Sequence, residues 1–63
     1  MSTNVTVIIF KNMGNGLYEA KYGHMTLYCD YVNTNGPYVK LTLRGHTIAT
    51  FNNNWVRIRW SSE

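Results

Sequence analysis

Apolar and polar residues alternate with a period of two along much of this chain, which is the pattern of strands that are half-buried in a sheet. The clearest example is Tyr38–Leu43, where every second residue is Val or Leu. His46–Phe51 and Trp55–Trp60 alternate in the same way and are rich in β-branched and aromatic residues. The pattern therefore predicts three strands in the C-terminal part of the chain.

Turn signals divide the rest of the chain into further strands. Asn12–Gly16 and Asn33–Pro37 are typical of turns, and Gly23 indicates a break or bulge. The strands that they delimit are Asn4–Lys11, Leu17–Tyr22 and His24–Val32. The sequence therefore predicts one all-β domain, an antiparallel meander of five to six strands. It would be either a small SH3-like or OB-like barrel or a single sheet completed by dimerisation. Residues 1–3 and 61–63 are expected to be frayed ends.

The first strand differs from the others because its centre is apolar on both sides. Ile8, Ile9 and Phe10 follow one another, so both faces of Asn4–Lys11 carry large hydrophobic side chains. Such a run is typical of a central strand, or of one covered on both sides. A partner subunit could provide the second cover.

Two short loops set the predicted register of the three C-terminal strands. A two-residue loop at Arg44–Gly45 places Leu41 opposite Ile48, and a three-residue loop at Asn52–Asn54 places Ile48 opposite Ile58. Both loops predict the same interior residues, which are Val39, Leu41, Leu43, Ile48, Val56, Ile58 and Trp60. The opposite face then carries Tyr38, Lys40, Thr42, Thr47, Ala49, Phe51, Trp55, Arg57 and Arg59.

The chain is short and basic, with 63 residues and a net charge of +3. A domain of this size reaches a stability of only ~3–5 kcal/mol without a staple. One cysteine excludes an intrachain disulfide, so aromatic packing or self-association must stabilise the fold. The positive charge favours anionic partners.

Little in the sequence could catalyse a reaction or hold a cofactor. The carboxylates Glu19, Asp30 and Glu63 do not suggest a pair in a walled cleft. His24 and His46 each follow a glycine at a strand start, where a turn role is expected, and the Cys and His spacing does not match a zinc site. The glycine-rich turn lacks the Gly-Lys-Ser/Thr of a phosphate loop. We therefore predict a protein that is not an enzyme and binds no cofactor or metal.

No run of residues has transmembrane length, and the N-terminus does not resemble a signal peptide. These features predict a cytoplasmic protein without a membrane partner. Cys29 is compatible with a reducing compartment and is expected to be a small buried hydrophobic residue.

The polar face of the C-terminal strands combines cations with aromatic rings, which is the combination that binds single-stranded nucleic acid. The candidate binding residues are Tyr38, Lys40, Phe51, Trp55, Arg57 and Arg59. Tyr, Trp and Arg are also enriched in protein hot spots, so an acidic host protein or a second copy of the chain is an alternative partner. A further alternative is that the rings cover the end of a barrel and the arginines are merely solvated.

One segment carries a resemblance. Residues 42–50, Thr-Leu-Arg-Gly-His-Thr-Ile-Ala-Thr, followed by the asparagine-rich turn and Val56-Arg57-Ile58, resemble a β-hairpin segment of short bacteriophage-encoded proteins of unknown function. The resemblance covers only the C-terminal part and transfers no site. It implies a small accessory protein of a phage or other mobile element, located in the host cytoplasm. Such proteins often bind nucleic acid, or bind and inhibit a host protein.

Overall fold

The computed structural model describes residues 5–61, and these form two β-sheets around a shared core. The strands are β1 (Thr6–Asn12), β2 (Tyr18–Tyr22), β3 (Met25–Cys29), β4 (Tyr31–Asn33), β5 (Tyr38–Leu43), β6 (His46–Asn52) and β7 (Val56–Ser61). A single 3-10 turn, Asn53–Trp55, joins β6 to β7. The all-β prediction is confirmed. Ser61 belongs to β7 rather than to a frayed tail, and the other predicted end residues, 1–3 and 62–63, lie outside the described residues.

Four strands form a mixed sheet in the order β3-β2-β1-β7, and three form an antiparallel sheet in the order β4-β5-β6. β1, β2 and β3 are antiparallel neighbours, whereas β7 runs parallel to β1 from the pair Thr6–Val56 to the pair Lys11–Ser61. The prediction of a wholly antiparallel meander is therefore wrong at β7. The two sheets do not close into a barrel.

The predicted strand His24–Val32 is two strands separated at Asp30. Its first part, β3, pairs with β2, and its second part, β4, pairs with β5 in the other sheet. The amide of Asp30 donates to the carbonyl of Thr42 at 2.9 Å, and its carboxylate accepts from the amide of Arg44 at 2.9 Å. These bonds fix the corner where the chain leaves one sheet for the other.

The β5–β6 hairpin begins as the sequence predicts and then changes register. Arg44 and Gly45 both have positive φ, 53° and 81°, as a two-residue type I′ turn requires. A β-bulge between Leu41 and Thr42 then shifts the pairing by one residue, so that Leu41 lies opposite Ala49 instead of Ile48.

From Ile48 onward, the bulge makes the side chains of β6 point to the opposite face from the one predicted. Ile48 is exposed, whereas Ala49 and Phe51 turn towards the core. The ring of Phe51 meets the ring of Tyr22 from the other sheet edge-to-face, with centroids 4.9 Å apart. The prediction of Ile48 inside and of Ala49 and Phe51 on the open face is therefore wrong, because a one-residue shift inverts every side chain that follows.

The asparagine-rich segment Asn52–Asn54 is not the loop of a β6–β7 hairpin. Asn53 donates from its side-chain amide to the carbonyls of Thr34 and Gly36, at 3.1 and 2.9 Å, and from its backbone amide to the carbonyl of Pro37 at 2.9 Å. These bonds tie the 3-10 turn to the preceding turn of the three-stranded sheet. The chain then crosses to the four-stranded sheet, so the predicted pairing of Ile48 with Ile58 is wrong.

The core lies between the sheets. Its fully buried members are Ile8, Phe10, Ala20, Cys29, Val39 and Leu41. Trp60 packs against this core at its margin, with its ring centroid 5.1 Å from that of Phe10 and 5.4 Å from that of Tyr18. The burial predicted for Cys29 is confirmed, but Trp60 is only partly covered because β7 is an edge strand.

β1 is a central strand, as predicted, since β2 and β7 flank it. Its two faces differ, because Ile8 and Phe10 are fully buried whereas Val7 and Ile9 are 40% and 44% exposed. In the described part of the chain, the second apolar face of β1 has no covering layer.

Candidate nucleic-acid interface

Four of the six lysines and arginines lie on the outer face of the four-stranded sheet, the face turned away from the core. Ile9 on β1 lies opposite Lys21 on β2 and opposite Arg59 on β7. Val7 lies opposite Arg57, and Lys11 follows two residues after Ile9. Residues opposite one another share a face of the sheet, so these side chains form one surface, which we call the cationic face.

The spacing of the sheet keeps the backbone positions of the cations several ångströms apart. Neighbouring strands lie ~4.8 Å apart, so the backbone positions of Lys21 and Arg59 are ~10 Å apart with Ile9 between them. Arg57 and Arg59 are two residues apart on β7, which is ~7 Å. Lys21, Arg57 and Arg59 are exposed. The surface thus presents well-separated positive charges around a small apolar centre formed by Val7 and Ile9.

Glu19 is the carboxylate of the cationic face within residues 5–61. Its Oε1 lies 3.9 Å from Nζ of Lys21, and its Oε2 accepts a hydrogen bond from the hydroxyl of Tyr28 at 3.3 Å. Glu19 also lies opposite Lys11 in the β1–β2 register. The negative charge is therefore at the β2–β3 side of the face, and β7 with its arginines is two strands away.

Both tryptophans are at the ends of β7. Trp55, in the 3-10 turn just before this strand, is 52% exposed, and Trp60, near the end of the strand, is 55% exposed. The ring of Trp60 is supported from within by Phe10 and Tyr18. Exposed indoles therefore lie at both ends of the strand that carries Arg57 and Arg59.

The structure divides the six candidate residues that were predicted to share a face. Trp55, Arg57 and Arg59 remain together on or beside β7, and the prediction that the two arginines point away from the aliphatic interior is confirmed. The others lie elsewhere: Tyr38 and Lys40 are exposed on the three-stranded sheet, and Phe51 is in the core layer. Tyr38 and Lys40 are separated from the β7 residues because β6 and β7 do not form a hairpin, and Phe51 is turned into the core by the β-bulge.

Sequence reasoning missed Lys11 and Lys21 as members of the cationic face. Their alternation with buried neighbours such as Phe10 and Ala20 indicates that both point outward. Only the parallel pairing of β1 with β7 brings them beside the arginines, and that pairing joins opposite ends of the chain.

The remaining side chains with reactive chemistry are dispersed. Burial raises the pKa of the Cys29 thiol, and the charge of Asp30 acts in the same direction, while a hydrogen bond with the Tyr31 backbone opposes them. No three potential metal ligands come together in residues 5–61, and no pocket opens there. Within the same residues, no helix has the length and apolar character that crossing a membrane requires.

Comparison of the chain with models of protein families, with curated proteins and with solved structures finds no match.

Proposed function

We propose that this protein is a non-catalytic binding module whose cationic face binds nucleic acid, with a preference for single strands. The observation that supports the proposal most directly is the collection of Lys11, Lys21, Arg57 and Arg59 on one sheet face. Among the described residues of that face, Glu19 is the one carboxylate. Phosphates pair with such cations and release condensed counterions, so affinity depends strongly on salt.

The number of cations fixes the expected salt dependence. If all four contact phosphates of a single strand, log K should fall against log salt with a slope of about −3. The arginines on β7 should contribute about half of this slope. The measurement is fluorescence anisotropy of a labelled oligonucleotide titrated with the protein at several salt concentrations, with a gel mobility shift as a second readout.

A matched pair of double variants tests the location of the interface. R57Q/R59Q removes two positive charges from the cationic face, whereas K40Q/R44N removes two from elsewhere and leaves the same net charge. Asn suits position 44 because it tolerates the positive φ that Arg44 adopts. We expect the slope of R57Q/R59Q to fall by about half and its affinity to fall roughly tenfold or more at low salt. K40Q/R44N should bind nearly as the natural protein does.

Equal losses in both variants would mean that binding follows net charge and not the cationic face. Absence of binding at low salt by anisotropy, with no gel shift, would reject nucleic acid as the partner.

A second candidate function is binding to an acidic host protein, as a phage-type inhibitor would. The observation that favours it is the exposure of Val7 and Ile9 in the middle of the cations, since a protein partner would bury them and phosphates would not. A pull-down from host lysate, with and without nuclease, distinguishes the two functions. Retention of one protein that resists nuclease and is lost on Arg57→Glu supports this candidate, and partners that disappear with nuclease contradict it.

A further inference from the structure

The strand that carries two of the four cations is also an edge of its sheet. β7 pairs with β1 on one side, and within residues 5–61 no strand pairs with its other side. A ligand lying along this outer edge of β7 can therefore reach both faces of the strand. Arg57 and Arg59 project to one face, and Trp60 projects to the other, because side chains alternate along a strand.

The indole of Trp60 is held in place although half of its surface is open. Phe10 lies beneath it at a centroid distance of 5.1 Å and an interplanar angle of 30°, and Tyr18 meets it edge-on at 77°. A ring supported in this way loses little conformational entropy when a second ring stacks on it. Together with Trp55, it provides two exposed indoles, and the backbone positions of the two tryptophans are no more than about 16 Å apart at the rise of a strand.

This arrangement discriminates between forms of nucleic acid. Phosphates of single and double strands are alike in charge, so the cationic face alone accepts both. Bases in a duplex are stacked within it, whereas those of a single strand can stack on aromatic side chains. The tryptophans would therefore strengthen the binding of single strands only.

We infer that a single-stranded nucleic acid lies along the outer edge of β7, with bases stacked on Trp55 and Trp60 and phosphates at Arg57 and Arg59. The inference rests on the proposed function and specifies its ligand. At the ~3.4 Å rise of stacked bases, the backbone separation of Trp55 and Trp60 corresponds to about five nucleotides.

Two variants that each retain one tryptophan allow the fluorescence of each indole to be measured separately. W55F leaves Trp60 and W60F leaves Trp55, and Phe at position 60 keeps an aromatic ring against Phe10 and Tyr18. Oligothymidylates from dimer to dodecamer should quench the fluorescence of both variants, with affinity levelling off near five or six nucleotides. A hairpin duplex of equal phosphate number should bind with little quenching.

Affinity measurements on Trp55→Ala complete the test, because this side chain lies in an exposed turn. The loss of one stacked base should weaken single-strand binding about 5- to 150-fold and leave duplex binding unchanged. Thermal denaturation of each variant verifies that it is folded under the titration conditions.

The outcomes separate this inference from the proposed function. If single strand and duplex bind equally, depend on Arg57 and Arg59, and leave both tryptophans unquenched, the stacking inference is overturned together with the preference for single strands. The cationic face then remains the interface. If neither nucleic acid binds at low salt, the proposed function fails and this inference fails with it.

Discussion

The outer faces of the two sheets have the same pleated backbone but different chemistry. The cationic face of the four-stranded sheet carries Lys11, Lys21, Arg57 and Arg59 around the apolar pair Val7 and Ile9. The outer face of the three-stranded sheet carries one cation, Lys40, and otherwise neutral side chains, which are Tyr31, Asn33, Tyr38, Thr42, Thr47, Ile48, Thr50 and Asn52. Most of the net positive charge of the chain is therefore on one side of the molecule.

The difference shows that the excess of lysine and arginine in this chain is concentrated on one surface. Clustered like charges oppose folding, and the sheet reduces this penalty by placing Ile9 between Lys21 and Arg59. Two charges ~10 Å apart in water repel by only about 0.4 kcal/mol. Stability does not require such a cluster, and binding of a polyanion would use it, so the comparison favours a functional role for the cationic face.

The largest predicted effect distinguishes the buried face of β1 from its exposed face. Ile8→Ala should lower the free energy of unfolding by about 2–5 kcal/mol, because it leaves a cavity in the core. The adjacent Ile9→Ala should lower it by less than about 1 kcal/mol, since Ile9 is 44% exposed. Urea denaturation followed by tryptophan fluorescence measures both changes.

A large decrease in the free energy of unfolding of both variants would contradict the difference between the buried and exposed faces of β1. It would mean that a second layer covers the cationic face in solution, such as another copy of the chain. Sedimentation at several protein concentrations would then detect the dimer. A small loss for Ile9→Ala, with a constant sedimentation coefficient, leaves this face open to a partner.

Local features of the sequence were sufficient to predict most strands. Alternation located Tyr38–Leu43 and the outward direction of Arg57 and Arg59, and the dipeptide Arg44–Gly45 correctly indicated a two-residue turn. The consecutive apolar residues of the first strand correctly indicated a central position. Each of these features depends on neighbours within a few residues.

The pairing of distant strands could not be predicted in this way. β1 and β7 pair in parallel across almost the whole chain, and no local pattern encodes that contact. The bulge at Leu41 and Thr42 inverts the faces of Ile48 and Phe51, and alternation alone fits either register because Thr and Ala separate the large side chains. The candidate residues that were predicted to share one face therefore lie on different sheets, and Phe51 lies in the core layer.

The next effect concerns the crossing that brings β7 to the cationic face. Asn53→Ala removes the two side-chain hydrogen bonds to the carbonyls of Thr34 and Gly36, and should lower the free energy of unfolding by about 1–3 kcal/mol. Asn54→Ala in the same turn is the matched control, since the side chain of Asn54 is exposed. Thermal unfolding compares them. Equal midpoints would show that Asn53 does not hold the crossing in place.

A smaller effect is the pH dependence of stability that the buried thiol of Cys29 causes in the core between the two sheets. Burial raises the pKa of the Cys29 thiol above its ordinary value of 9.0, so the folded protein keeps this proton when the unfolded chain loses it. The free energy of unfolding should therefore fall as pH rises above about 9. Comparison with Cys29→Ala isolates the contribution of the thiol to the pH dependence of unfolding. Parallel pH profiles for the two proteins would contradict a dry environment for Cys29.

The smallest effect tests whether the one carboxylate of the cationic face limits its binding. Glu19→Gln keeps the shape of the side chain but removes the charge beside Lys21 and opposite Lys11. The ion pair is exposed on the lysine side, so the free energy of unfolding should fall by less than about 1 kcal/mol. The phosphates of a bound strand would no longer be repelled, and a charge ~10 Å away in water corresponds to a roughly twofold gain in affinity per nearby phosphate. The gain should disappear at high salt, because screening removes interactions beyond the Debye length.

The matched control is Lys40→Gln, which alters charge on the opposite sheet by the opposite sign and should leave the affinity nearly unchanged. Weaker binding by Glu19→Gln would mean that Glu19 orders the cations around it, and that the face works as a fixed array instead of a diffuse positive field.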